Sequence, residues 1–162
     1  MAAGDKAYWS DVARAINPPL VRLVQQAGQS IPDATLTALT FGAGSEDIDT
    51  DGFHDTVTNN TRITPNVAGY YEFRGVYYTG APTTPVSIDA SFRKNGSTSV
   101  PSGERVNSGA IATGVMATCT QPMNGSTDYM EFMAFQDSSG AVNTNVSARF
   151  TSYVECEYIR PL

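Results

Sequence analysis

The residues with the most chemical potential lie between positions 45 and 72. Asp47-Ile48-Asp49-Thr50-Asp51-Gly52 matches the first half of a calcium loop, D-x-D-x-D-G. In such a loop, clustered oxygens replace the water shell of a hard cation. Asp47, Asp49 and Asp51 are therefore the metal candidates, and Asp55 stands where a ninth-position oxygen would. The twelfth position is Thr58, where such a loop needs a bidentate Glu. A solvated acidic turn before a strand is the favoured reading: no cofactor is expected, with calcium as the one alternative. His54 is the single histidine. Pairing it with Asp55 and Ser45 would make a hydrolase, but neighbours in sequence are not a triad and no G-x-S-x-G supports one. Glu72 and Glu131 could serve a glycosidase only if one cleft held both. Glu72 is instead expected to pair with Arg74 or with an arginine of a neighbouring subunit. Cys119 and Cys156 make neither a disulfide framework nor a zinc site. They read as free buried thiols of a protein assembled in a reducing compartment. No catalytic residue is assigned, and the chain reads as a non-enzyme.

Composition narrows the partners. The 162 residues suit one domain with a short arm, and the formal net charge is -6. Charged residues make up only 16% of the chain, against about 25% in an average soluble domain. An acidic chain without a Lys/Arg cluster cannot neutralise phosphates, so nucleic acid is not an expected partner. No apolar run approaches the ~20 residues of a membrane span. The N-terminus, interrupted by Asp5 and Asp11, has no apolar signal core.

The elements that must carry these residues are strands. Val86, Ile88, Ala90 and Phe92 alternate with Ser87, Asp89, Ser91 and Arg93. That run feeds Asn95-Gly96, the pair a type I′ hairpin turn needs. Tyr70–Tyr78 and Tyr129–Phe135 alternate likewise, but both of their faces bear aromatics. A two-layer domain needs one apolar face per sheet, so the second face is expected to meet a partner subunit. Further strands are expected over 21–26, 36–41, 62–64, 115–120 and 148–159. Turns every eight to twelve residues predict an all-β antiparallel sandwich or jelly roll. Residues 1–27 read as a separate arm, in which Tyr8, Trp9, Val12 and Ile16 lie along a short helix that Pro18-Pro19 ends. So short a helix needs a surface to lie on. These four residues are the candidate anchor, and 28–162 form the jelly roll.

The stretch Phe53-His54-Asp55, Asn60-Thr61-Arg62-Ile63-Thr64-Pro65 and Ala68-Gly69-Tyr70-Tyr71-Glu72-Phe73 resembles the central signature of the C1q/tumour-necrosis-factor-like jelly roll. Gly69, Tyr71 and Phe73 meet its G-x-Y-x-F, and Arg93-Lys94-Asn95-Gly96 resembles its K-N-G hairpin. Asp128-Tyr129-Met130-Glu131-Phe132 resembles its G-D-x-V-x-L strand with the glycine displaced to Gly125, and Phe150-Thr151-Ser152-Tyr153 its closing strand without the final glycine. The form R-I-T-P-x-x-A-G-Y-Y is similar to domains of tailed-bacteriophage virion proteins. The opening Ala3-Gly4-Asp5 to Ser10-Asp11-Val12 resembles the start of phage tail and structural proteins.

The resemblance implies a homotrimer packed through aromatic-rich strands, for which Tyr70, Tyr78, Tyr129, Met133, Phe135 and Tyr153 are the candidate interface. It further implies a virion structural protein, assembled in the host cytoplasm and mounted on the particle surface. Its partners would be itself and the major capsid protein, as a capsid decoration, or tail proteins, as a tail-tip or fibre protein touching the host receptor. A soluble module binding a host-surface glycan is the remaining reading.

Overall fold

The computed structural model describes residues 12–14, 16–82, 86–109 and 111–162. They form an all-β antiparallel sandwich preceded by a short helical element at Val12–Arg14 and Ile16. The strands in chain order are β1 (Leu20–Val24), β2 (Ser30–Ile31), β3 (Thr37–Ala38), β4 (Glu46–Asp49), β5 (Arg62–Ile63), β6 (Ala68–Tyr78) and β7 (Val86–Lys94). They continue as β8 (Thr98–Ser108), β9 (Gly114–Asn124), β10 (Met130–Gln136), β11 (Val142–Asn143), β12 (Val146–Ser147), β13 (Phe150–Thr151) and β14 (Tyr153–Arg160). One sheet runs β4-β1-β14-β6-β9; the other runs β3-β10-β7-β8, with β5 also paired to β10.

Alternation decides which side chains enter the core. On β6, Tyr71, Phe73, Gly75 and Tyr77 face inward and are buried, while Tyr70, Glu72, Arg74, Val76 and Tyr78 face outward and are half-buried. Ile88, Ala90 and Phe92 of β7, and Met130, Phe132 and Ala134 of β10, close the core from the opposite sheet. Phe73 and Phe92 link the two sheets at 5.9 Å between ring centroids, while Tyr158–Tyr71 at 5.3 Å and Phe92–Phe132 at 5.1 Å join neighbouring strands within each sheet. Each pair adds about 0.5–1.5 kcal/mol beyond its buried area.

Two glycines make that packing possible. A Cβ on Gly69 would sit 2.4 Å from the Tyr158 ring and 2.9 Å from the Arg160 carbonyl oxygen; one on Gly75 would meet the Phe132 ring at 2.9 Å. The glycine of the G-x-Y-x-F signature is thus fixed by a ring on the neighbouring strand.

The Asn95-Gly96 turn forms as its sequence predicts. Both residues have positive φ, 53° and 73°, and the Ser97 amide donates to the Lys94 carbonyl at 3.3 Å. Asn95 then holds the tip down: its side-chain oxygen accepts the Tyr129 amide at 2.9 Å, and its NH2 donates to Asp128 at 2.9 Å.

The expected strand over 36–41 shrinks to Thr37–Ala38, and five strands (β2, β4, β8, β11 and β12) fall outside the expected spans. β8 contains Pro101 and Gly103, which hide its period, and it is tolerated as the edge of its sheet. The register slips between Ala90 and Phe92, where the Ser102 hydroxyl accepts the Phe92 amide in place of a ladder carbonyl. β4 lies inside the acidic loop and pairs β1 as the other sheet's edge, where charge discourages further strand addition. The short β2–β11 pair links 30–31 to 142–143.

His54 is structural. Its Nδ1 lies 2.8 Å from the Arg62 carbonyl oxygen and its Nε2 lies 2.8 Å from the Phe41 carbonyl oxygen. The ring staples the 53–62 loop between two chain segments, and neither nitrogen is turned toward a nucleophile.

Gly69→Ala is expected to lower unfolding free energy by about 1–3 kcal/mol, because Tyr158 must shift inside a close-packed core. Gly109→Ala, with open space around the added methyl group, should stay within about 0.5 kcal/mol. His54→Ala is expected to lose about 1–3 kcal/mol by removing the ring that bridges the Phe41 and Arg62 carbonyls. Urea unfolding followed by tyrosine fluorescence measures all three.

Candidate functional site

The outer surface of the β4-β1-β14-β6-β9 sheet has no layer of the described chain packed over it. Strand register alone assembles a charged network at its centre. Glu155 of β14 is paired in register with Arg22 of β1 on one side and Arg74 of β6 on the other. Arg22 Nη1 donates to Glu155 Oε1 at 2.9 Å, and Arg74 Nε donates to Glu155 Oε2 at 3.0 Å. Arg74 also reaches Glu157 at 3.2 Å and Glu72 at 3.3 Å, and Arg22 reaches Asp47 at 3.4 Å. Burial works against the Arg74 cation, but Glu72, Glu155 and Glu157 outweigh it and hold the guanidinium more firmly protonated. Cross-strand pairing of opposite charges lets these groups sit in the middle of a sheet face, with Arg22 Nε, beside Asp47, a buried network nitrogen left without a hydrogen bond.

Around this network stand aromatic and aliphatic side chains. Tyr70, Tyr78 and Tyr153 are half-buried there. Arg160 lies 4.5 Å over the Tyr70 ring, Arg22 lies 5.1 Å over Tyr153, and Tyr78 packs on Phe150 at 5.6 Å. Val76 projects from β6, and Met116, 55% exposed, projects from β9. Sequence reasoning missed Met116, although its alternation with Val115 and Ala117 already pointed it outward.

The other three interface candidates lie on the opposite sheet. Met133 is 0% exposed, Tyr129 is stacked under Arg62 at 4.0 Å and Phe135 lies under Arg105 at 5.3 Å. β10 is an interior strand between β7 and the β3 and β5 segments, and six of its seven residues are buried. The second apolar face of Tyr129–Phe135 is therefore covered by the chain itself, and Met133 is removed from the candidate interface. Glu131 has the same explanation: it accepts from Arg93 at 3.0 Å and from Thr61 at 3.0 Å, far from any pairing with Glu72.

The aspartates of the calcium-like loop disperse. Asp47 pairs with Arg22; Asp49 accepts the Phe53 and His54 amides, each at 3.0 Å; and Asp51 accepts the Thr50 hydroxyl at 2.6 Å. Among the described residues, no three His, Cys, Asp or Glu side chains converge as a metal site would require. Asp47 and Asp49 are two apart on β4 and Asp51 lies past its end, and each is engaged by a different partner rather than turned toward a shared centre. Cys119 and Cys156 flank Phe73 from the two neighbouring strands and remain free thiols. Burial pushes Cys119 up to about 12 and raises Cys156 well above its ordinary value, so neither is a thiolate nucleophile at neutral pH.

Of the anchor candidates, Tyr8 and Trp9 lie outside the described residues. Val12 is half-buried, and Ile16, 79% exposed, stands free at the end of the helical element.

No family model matches the chain, and no curated protein matches it. Solved structures do. The globular domain of zebrafish complement 1qA protein aligns with a TM-score of 0.62 at 11% identity, covering 89% of this chain and 99% of that one. Murine APRIL at pH 5.0 aligns with a TM-score of 0.60 at 9% identity, covering 88% and 100% respectively. At such identities the likeness is one of fold: the chain adopts the C1q/TNF-like jelly roll.

Proposed function

We propose that the chain is a non-enzymatic, homotrimeric recognition and structural module whose copies pack through the β4-β1-β14-β6-β9 face. The observation that carries this reading is that face itself, an uncovered sheet surface ringed by Tyr70, Tyr78, Tyr153, Val76 and Met116 around arginines already matched to carboxylates. Aromatics, Met and Arg are the residues that interface cores favour, and the pairing of Arg22 and Arg74 with carboxylates offsets part of the desolvation cost of covering the network. The resemblance to the C1q/TNF-like family supports three-fold rather than two-fold assembly.

The finer placement is on the surface of a tailed-phage virion, as a decoration of the capsid shell held by the N-terminal arm. Its support is the R-I-T-P-x-x-A-G-Y-Y segment, the opening residues and the exposed apolar Ile16. Mounting at the tail, in contact with the host, is the competing placement, and the opening residues favour it.

Sedimentation at micromolar concentration is expected to show a species of three times the 17.3 kDa chain mass. A lone chain would overturn the trimer. Val76→Asp combined with Met116→Asp should yield monomers with an unchanged circular-dichroism spectrum, since both side chains project from the outer face. Removal of residues 1–17, which stops before β1, should leave the trimer intact and abolish attachment to purified particles. Attachment that survives this truncation would overturn the anchoring role, and binding to purified tails but not to empty heads would overturn decoration of the shell.

A further inference from the structure

A cleft of about 540 Å³ opens beside the His54 staple, on the side of the molecule formed by the 52–66 loop and the 127–129 turn. It falls within the range of small-ligand sites, about 300–1,000 Å³. Its distinguishing group is Arg62. Arg22, Arg74, Arg93 and Arg105 each contact a carboxylate. Arg62 contacts none among the described residues; its guanidinium lies 4.0 Å above the Tyr129 ring. Arg149 and Arg160 likewise have no carboxylate partner among the described residues and lie over Phe150 and Tyr70, so Arg62 is set apart by the cleft it lines rather than by lacking an ion pair.

The stack is rigidly built. β5 fixes the Arg62 backbone opposite Glu131, and the Arg62 carbonyl oxygen lies 2.8 Å from His54 Nδ1. The Tyr129 amide is bonded to Asn95, and Gly96 leaves room for the Tyr129 hydroxyl, since a Cβ there would meet it at 2.7 Å. Stacking fixes the plane of the guanidinium and leaves its N–H edges to bond in that plane, the geometry that takes a carboxylate two-pronged.

Phe53 and His54 also line the cleft, and its hydroxyl and amide groups come from Thr58, Asn59, Thr64 and Asn66. Asn59 sits at a left-handed φ of 58°, a conformation asparagine tolerates. Asp55, also in the lining, has one carboxylate oxygen taken by the Val57 and Thr58 amides at 2.8 and 2.9 Å. Its second oxygen can accept from a ligand hydroxyl, while its charge disfavours a second anionic group on that side. The cleft thus asks for one carboxylate at the Arg62 end and several hydroxyls at the other.

We propose that this cleft binds an acidic monosaccharide, with Arg62 taking the carboxylate and Asn59, Thr64 and Asp55 taking ring hydroxyls. The site lies within one protomer, so it depends neither on the trimer nor on the virion placement, and a monomer in the sedimentation experiment would leave it standing.

The test is an amide and guanidinium NMR titration of the full chain with sodium glucuronate, N-acetylneuraminate, glucose and inorganic phosphate. The acidic sugars should shift the Arg62 Nε–H and Asn59 signals and bind at least about tenfold more tightly than glucose, the margin one charge-assisted pair supplies. Arg62→Gln should weaken them at least about tenfold, and Arg62→Lys should be intermediate, keeping the charge but losing the fork. Should Arg62→Gln fail to fold, Asn59→Gly serves, since glycine keeps the left-handed backbone, with weaker sugar binding expected at an unchanged melting temperature. Glucose binding as tightly as glucuronate, phosphate binding better than either acidic sugar, no shift with either acid, or full affinity in Asn59→Gly would each overturn the proposal.

Discussion

The fold depends on one close approach. Where β6 crosses beneath β10, the Phe132 ring lies directly on Gly75, and one pair away on β6 the rings of Tyr71 and Phe73 carry the contact sideways to Tyr158 and Phe92. Sheet separation, ring orientation and strand register are fixed together by this cluster, because rings in a dense core cannot move one at a time. Buried aromatic side chains supply about 1.5–3 kcal/mol each by burial. Their effect on specificity is larger: a slip of one residue in β6 would turn Tyr71, Phe73 and Tyr77 out to solvent and bring Glu72 and Arg74 into the core.

That locked register also writes the outer surface. Once β14 lies between β1 and β6, Glu155 must stand between Arg22 and Arg74, and the network forms without any loop to guide it. Six ionic side chains (Arg22, Arg74, Asp47, Glu72, Glu155 and Glu157) share the centre of the face, with carboxylates exceeding guanidiniums by two. Each arginine is matched before any partner arrives, so the surface is polar enough to stay in water and sufficiently preorganised to be covered. On the opposite sheet, Glu131 of β10 is held by Arg93, Phe135 lies under Arg105, and Tyr129, just before the strand, lies under Arg62. The two sheets are therefore unequal: one is open for assembly and the other closed on itself, with the His54 staple and the Arg62 cleft at its margin.

Strand content, the hairpin at Asn95-Gly96, the inward set on β6 and β7, and the C1q/TNF-like order of elements were all legible in the residues, because alternation and turn chemistry are local properties. So was the pairing of Glu72 with Arg74, which are two apart on one strand face. β8 was hidden by Pro101 and Gly103, which only an edge position and a bulge accommodate. The acidic loop read as a possible cation site because a linear motif does not say that β4 will splay its aspartates to different partners.

Whether an aromatic on the second face of a strand meets solvent, its own chain or another copy is a question of what packs against it, and no periodicity encodes that. Tyr70 and Met133 carry the same signature in sequence, yet the first lies on an open sheet and the second has no exposed surface, because β10 is roofed by its own loops while β6 is not. Likewise the sequence shows that Arg62 exists, but only the folded chain places it over Tyr129, 67 positions away, with no carboxylate in reach. Alternation along the chain fixed which residues share a face; long-range packing decided what each face touches.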